Sequence, residues 1–203
     1  ACAKAGIRRM VVLSSAAIYA ATPHNSGRIA ESERAPRGYG NLIKEDWVQF
    51  EALIEKHLKP GSGTTANQNE MLVTILRSSI VLRPDGIDYF SRLFSGRFAF
   101  TLPFYDPSIQ LLSPKDLAKA VRCAIEKGRE GIFNVAPTHV IPLRTGLRMA
   151  HLKRIPMPAP LQRYAADQLE YIRHSWTVSG EKIERELGFV PEQSSAAGLS
   201  EFL

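Results

Sequence analysis

Two hydroxyls at the end of a strand and a phenol at the mouth of a helix are the first groups in this chain able to do chemistry. Arg9-Met-Val-Val-Leu-Ser14 is a short apolar run that reads as a buried parallel strand; it delivers Ser14 and Ser15 at its carboxyl end, with Tyr19 four residues beyond Ser15. Ligands of open α/β sheets bind outside the carboxyl ends of the strands, so Ser15 stands where a reacting group is useful. Twenty-four residues after Ser15 comes Tyr39-Gly40, with Lys44 just inside the following segment. A phenol has a pKa near 10, so work as a base near neutrality needs a cation beside it to favour the phenolate. Taken singly, Ser15 is an ordinary strand-ending serine and Lys44 an ordinary solvated helix lysine. Only their arrangement gives them weight.

The elements that must position these groups can be read from periodicity and punctuation. Ala1 to Ile7 reads as a helix end stopped by Gly6. Asn41 to Leu58 carries apolar residues at Leu42, Ile43, Trp47, Phe50, Leu53, Ile54 and Leu58, which predicts an amphipathic helix. Lys59 to Glu70 is a polar, Gly-containing connector, expected to be flexible and dispensable. Leu72 to Leu76 is the next buried strand, expected to pair in parallel with Arg9 to Ser14 through a right-handed crossover made by the helix. After Asp85 the reading gives a helix through Phe94, an irregular stretch from Phe98 to Tyr105, and a strand near Ile109 to Leu112. Pro114 opens a helix that runs from Asp116 to Lys127 and is closed by Gly128; Ile132 to Val135 is a short strand. Pro156, Pro158 and Pro160 separate two helical stretches, and Ser179 reads as the N-cap of a last helix ending at Leu187 before Gly188. Strands alternating with helices imply an α/β sheet of mostly parallel strands. Only two or three strands qualify for it, so the sheet is expected to be incomplete.

Composition removes several classes. At 203 residues, 44% apolar and 23% charged, the chain has the makeup of a globular protein. Its longest apolar stretches are broken at Ser14 and Ser15 and fall well short of the roughly 18 residues that cross a bilayer. Cys2 and Cys123 form no Cys-x-x-Cys pair and the five histidines never take helical ligand spacing, so neither a disulfide framework nor a metal is expected, and a reduced cytoplasmic setting is the natural reading. The formal charge of +6 is spread along the chain, which argues against nucleic acid and suits an anionic small substrate. Gly61-Ser-Gly63-Thr-Thr-Ala66 fits the letters of a dinucleotide fingerprint, but it follows a helix and leads into Asn-Gln-Asn-Glu, so it reads as connector.

Six segments in order resemble the extended short-chain dehydrogenases of the NAD-dependent sugar-nucleotide epimerase/dehydratase kind. Ser14-Ser15-Ala-Ala-Ile-Tyr19-Ala20 is similar to the Ser-Ser-x-x-x-Tyr-Gly strand end, with Ala20 in place of Gly. Tyr39-Gly40 and Lys44 resemble the Tyr-x-x-x-Lys pair. Leu76-Arg77-Ser78-Ser79-Ile80-Val81-Leu82-Arg83-Pro84 is similar to Leu-Arg-Pro-x-x-Val-x-Gly-Pro, with Ser78 and Arg83 replacing Pro and Gly. Gln110 to Ala120 with Asp116, and Ile132-Phe-Asn-Val-Ala136, resemble two further segments that read as architectural. Trp176 to Pro191, with Lys182 and Glu186-Leu-Gly-Phe189, is similar to the C-terminal signature.

The resemblance implies an incomplete, doubly wound Rossmann-type sheet with a smaller α+β substrate lobe. Residues 1–83 would be the C-terminal half of the NAD(P)-binding domain, and residues 84–203 the substrate lobe interleaved with its last elements; the half carrying the fingerprint would lie upstream. It implies NAD or NADP as cofactor, a nucleotide-sugar substrate, no nucleic-acid or membrane partner, and is compatible with a homodimer. It assigns Tyr39 the acid/base role, Ser15 a hydrogen bond to the same substrate oxygen, and Lys44 the nicotinamide ribose, with Ser14, Tyr39, Lys44 and Ser78 against the cofactor. One departure bears on all of this. Tyr39 and Lys44 are five residues apart instead of four, which turns them about 140° from each other on a regular helix, and Ile43 takes the lysine position. A one-residue π-bulge, a Tyr39 preceding the regular helix, or a site without its lysine each accounts for the spacing. The last favours a rival function, a non-catalytic NAD(P)-binding sensor or scaffold.

Overall fold

The computed structural model describes residues 5–33, 42–58, 71–86, 88–162 and 166–203. The expected Tyr39 acid/base group and the Lys59 to Glu70 connector lie outside them. Strand β1 (Arg9–Ser15) runs into a 3-10 turn (Ala16–Tyr19); helix α1 (Leu42–Leu58) then precedes β2 (Leu72–Ser78) and β3 (Ile80–Val81). Next come α2 (Tyr89–Phe94), β4 (Phe98–Thr101), β5 (Ser108–Ile109), β6 (Leu111–Leu112), α3 (Pro114–Lys127) and β7 (Gly131–Val135). The chain finishes with β8 (Ile141–Pro142), α4 (Leu143–Met149), β9 (Lys153–Pro156), α5 (Ala159–Gln162), α6 (Ala166–Arg173), α7 (Glu181–Leu187) and α8 (Ser195–Phe202).

The central sheet has strand order β1-β2-β7, all parallel. β1 and β2 are in register from Arg9↔Leu72 to Ser15↔Ser78, as the sequence predicts, with α1 between them in the chain. Two-residue alternation along a strand then assigns the faces. Val12, Val73 and Ile75 form one small core with Ile54 of α1, whereas Leu76, Phe133 and Val135 face Ala120 and Ala124 of α3 and Ile183 and Leu187 of α7. α3 is built as its sequence asks: Ser113 caps it by accepting from the Asp116 N–H, Pro114 opens it, and Gly128 closes it at φ 57°. A third, larger core joins the 3-10 turn to α2, α4, α6 and α8.

Four expectations need correction. Phe98 to Tyr105 is not wholly irregular: Phe98–Thr101 is β4 and pairs in parallel with β9, a partner more than fifty residues away that no local pattern announces. Ile109 to Leu112 is two strands, because Gln110 between them turns its amide to Pro137 and Val178, so that β5 pairs with β8 and β6 with β3. Gly180, not Ser179, is the N-cap of α7, although the Ser179 hydroxyl still accepts from the Glu181 N–H; and α7 is followed by α8, capped by Ser194. On α1, Phe50 and Leu53 are exposed, while the inward stripe is Lys44, Trp47, Glu51 and Ile54. Among the described residues no helix is long and apolar enough to cross a membrane.

Candidate functional site

Register and alternation together create a polar row across the sheet just before its carboxyl edge. Ser14, Arg77 and Asn134 are successive partners on β1, β2 and β7, and all three are buried. Glu51, buried at 4% exposure, reaches down from α1 to this row. It accepts from the Ser14 hydroxyl at 2.6 Å and from Arg77 Nε and Nη2 at 2.9 and 2.6 Å. Arg77 Nη1 donates to the Tyr19 phenol at 2.8 Å, and that phenol donates to Asn134 Oδ1 at 2.8 Å. Glu31 closes the far end by accepting from the Asn134 N–H. Every member is satisfied, as a buried charged group must be to be tolerated. Burial alone would lower the Arg77 pKa, but its hydrogen bond to Glu51 and its contacts with Tyr19 outweigh that and raise it. Burial also raises the Tyr19 phenol, although Arg77 pulls the other way.

One residue further along, Ser15 and Ser78 are partners on the opposite face and at the edge of the sheet. Ser15 caps the 3-10 turn, its Oγ accepting from the Ala17 N–H at 3.2 Å, which leaves its hydroxyl proton to give. Ser78 donates to the Ser14 carbonyl at 3.3 Å. Both border a cleft of about 410 Å³, with Ser14 and Ser79 beside them and Trp47, Tyr89, Phe90, Tyr171 and Trp176 as walls. Tyr171 is fixed by donating to the Ala17 carbonyl at 2.8 Å, and burial pushes the Tyr89 phenol above its ordinary pKa. Ala20 ends the 3-10 turn fully buried at φ 59°, ψ 158°, a region essentially reserved for glycine.

The structure therefore gathers Ser14, Ser15 and Ser78 at one sheet edge, but with divided tasks: Ser15 and Ser78 serve the cleft, whereas the Ser14 hydroxyl is committed to Glu51. Lys44 lies half-buried on the same inward stripe of α1 as Glu51 and does not border the cleft. Asp116 is architectural, accepting from the Glu192 and Gln193 N–H groups. Among the described residues no three potential metal ligands are grouped. Sequence reasoning missed Glu51, Asn134 and Trp47; the available signal was a carboxylate standing on the apolar stripe of α1.

No protein-family model matches the chain. It is 24% identical, over a 218-residue alignment, to the uncharacterized protein Rv0501 of Mycobacterium tuberculosis (strain ATCC 25618 / H37Rv) and to Mb0513 of Mycobacterium bovis; the match takes in all of this chain and 56% of each relative, so the chain spans little more than half their length. Among solved structures, MoeE5 in complex with UDP-glucuronic acid and NAD superposes with a TM-score of 0.73 at 18% identity, over 99% of this chain and 66% of that one. The dTDP-glucose 4,6-dehydratase of Bacillus anthracis in complex with NAD gives 0.71 at 14% identity, over 99% and 62%. The UDP-glucuronic acid 4-epimerase of Bacillus cereus in complex with NAD gives 0.69 at 15% identity, over 98% and 61%. The chain thus has, along its whole described length, the fold of the NAD-dependent sugar-nucleotide epimerases and dehydratases that its six segments resemble.

Proposed function

We propose that this chain forms the substrate-handling part of an NAD(P)-dependent epimerase or dehydratase acting on a nucleotide sugar. Residues 1–83 contribute the C-terminal half of the dinucleotide-binding domain, and residues 84–203 the substrate lobe. The observation that carries this reading is the registered pair Ser15 and Ser78, at the carboxyl ends of adjacent parallel strands and opening on one cleft. That is where open α/β sheets take their ligands.

Hydroxyls beside apolar walls suit the amide and the flat face of a nicotinamide ring; Ser78 brings its hydroxyl to the cleft, and Ser14, whose hydroxyl is held by Glu51, borders it as wall. Bound NAD or NADP would supply reversible hydride transfer at a sugar carbon, the chemistry that epimerisation needs, and dehydration where water leaves between the two transfers. Ser15 donates its free hydroxyl proton in a hydrogen bond to the reacting sugar oxygen. Tyr39 takes the proton of that oxygen, with Lys44 favouring the phenolate. A homodimer belongs to the same proposal.

A second reading, a non-catalytic NAD(P)-binding sensor or scaffold, draws support from the five-residue spacing of Tyr39 and Lys44 and from a Lys44 that does not border the cleft. The test is hydrogen isotope exchange at the sugar carbon, in the full-length gene product with NAD or NADP and a panel of UDP- and dTDP-sugars. Exchange with any of them supports the enzyme. Cofactor binding without exchange favours the sensor, and absence of cofactor binding removes both.

A further inference from the structure

The strand pair β4 and β9 presents a surface that the chemistry of the cleft does not use. Its register sets Phe98 beside Lys153 and Phe100 beside Ile155, and partners in register share a face. Phe98, Phe100 and Ile155 are all exposed there, whereas Ala99, on the other face of β4, is buried in the core. Three residues past the end of β4, Phe104 is 99% exposed at φ 67°. It sits on a turn closed by the Tyr105 N–H, which donates to the Leu102 carbonyl at 3.4 Å, and Leu102 roots that turn in the core. Folding does not explain an aromatic side chain almost wholly in water, on a backbone conformation that is strained for a bulky residue. Together with its neighbours on β4 and β9 it makes an apolar patch of the kind that marks an interaction surface.

Cations surround the same patch. From Tyr89 to Tyr105 and from Val140 to Pro158 the sequence holds Arg92, Arg97, Arg144, Arg148, Lys153 and Arg154, and no Asp or Glu. Pairing of β4 with β9 brings the two segments together, with the Lys153 N–H on the Arg97 carbonyl at 3.3 Å. Positive charge that is dispersed along the chain is thereby gathered by the fold. Arg144, Lys153 and Arg154 line an open hollow of about 590 Å³ beside Thr101 and Pro103, at the foot of the Phe104 turn. The side chains of Arg97, Arg144, Lys153 and Arg154 have no hydrogen-bond or ion-pair partner among the described residues. Asp106, just past the turn, accepts from the Arg144 backbone N–H.

Projecting apolar side chains ringed by unpaired cations match an anionic bilayer surface, where rings enter the boundary between headgroups and chains and cations meet the phosphates. Two other polyanions fit less well. Stacked bases need parallel ring faces, and Phe98 and Phe100 stand edge-on to each other, 5.8 Å apart at 79°. An acidic protein segment would pair with the cations but leaves Phe104 without a role. We propose that the β4 and β9 lobe docks this protein peripherally on membranes that contain acidic phospholipid, with Phe104 as the inserted tip and Arg144, Lys153 and Arg154 as the headgroup contacts. The family resemblance implies no membrane partner, and it is the surface of this lobe that argues for one. Docking of this kind is reversible, needs no spanning helix, and is independent of the reaction beside Ser15.

Flotation of the full-length gene product with lipid vesicles tests the proposal. Vesicles of equimolar phosphatidylcholine and phosphatidylglycerol should bind it at least about tenfold more tightly than phosphatidylcholine alone, and added salt should weaken that binding. Replacing Lys153 and Arg154 together by Ala should weaken it by about 30-fold, since each cation at such a surface is worth about fivefold. Phe104→Ala should weaken it by about tenfold. No folding defect can mimic that loss, because the side chain removed lies almost wholly in solvent. Phe104→Trp should bind as the parent does, and its added indole emission should shift to the blue on vesicles as residue 104 leaves water. Equal binding to both kinds of vesicle, no binding to either, or undiminished binding by Phe104→Ala would each overturn the proposal. Tighter binding to a single-stranded oligonucleotide or to polyglutamate at the same ionic strength would do so too, by making another polyanion the partner. Release from vesicles by inorganic phosphate or UDP at constant ionic strength would assign the cations to a soluble phosphate and overturn it as well. Failure of the nucleotide-sugar reading leaves these results untouched, because vesicle binding is measured without cofactor or sugar.

Discussion

Glu51 of α1 and Arg77 of β2 form a two-pronged ion pair, Nε and Nη2 on Oε1 and Oε2 at 2.9 and 2.6 Å, inside the protein and twenty-six residues apart in the chain. The pair ties the helix that carries Lys44 to the strand that ends in Ser78, so it sets how α1 sits over the sheet edge. Breaking a buried pair from one side leaves a charge without its counterion and costs about 3–5 kcal/mol. Glu51→Ala is therefore expected to lower the unfolding free energy by that order in urea titrations, with Glu51→Gln intermediate because an amide oxygen still accepts from Arg77. A loss under about 1 kcal/mol for Glu51→Ala would show that the pair is not closed in solution.

Ala20 is expected to be a position where the protein gains from a smaller side chain. Its φ of 59° and ψ of 158° place a Cβ where only glycine is comfortable, a conformation that costs on the order of 1–3 kcal/mol for other residues. Ala20→Gly should stabilise the fold by about 1 kcal/mol, the larger entropy of glycine in the unfolded chain offsetting part of the relief. Thermal melts at one pH check this directly, and a lower Tm for Ala20→Gly would refute it.

The same residue shows what could be read in advance. Ala20 announced itself as a departure from the glycine of a familiar strand end, and the strained backbone is the physical meaning of that departure. β1, β2, α3 and β7 were legible because each carries its own period, cap or breaker within a dozen residues. β4 was not, since only Ala99 of its four residues is buried to 1% and its partner β9 is exposed throughout. The buried network was half legible. Ser14, Arg77 and Tyr19 stand in recognisable segments, but a single carboxylate on a helix reads as solvated surface until the tertiary fold lays it on Arg77. Tyr39, on which the proposed chemistry turns, lies outside the described residues, so its role rests on the resemblance.

Alkaline stability should reveal the two buried phenols. Burial raises the pKa of Tyr19 and of Tyr89 above 10, so the native state holds these protons more tightly than the unfolded chain. Their contribution is whole below pH 10 and is lost as pH rises through the folded values. Unfolding free energy is expected to fall above about pH 10. Tyr89→Phe should flatten its share of that slope without changing the behaviour near neutrality. A slope above pH 10 identical in parent and Tyr89→Phe would contradict the assignment.

The catalytic proposal turns on Lys44, which the fold places on the inward stripe of α1 with Trp47 and Glu51, although Ile43 occupies the spacing of four from Tyr39. If Lys44 serves Tyr39, its charge favours the phenolate, and its removal raises the pH at which the tyrosine becomes an effective base. In the full-length gene product, Lys44→Ala is thus expected to shift the ascending, low-pH limb of isotope exchange to higher pH and to cut turnover by about 100-fold, the lower end of what positioned acid/base groups contribute. Ile43→Ala should do neither, and Lys44→Arg should keep part of the activity, because a guanidinium retains the charge but spreads it over a planar fork in place of the compact ammonium. Equal activity of Lys44→Ala and the parent across the pH range would remove Lys44 from the mechanism. A loss in Lys44→Ala without any pH shift would mean that the lysine holds the cofactor or the helix and leaves the phenol to ionise unaided.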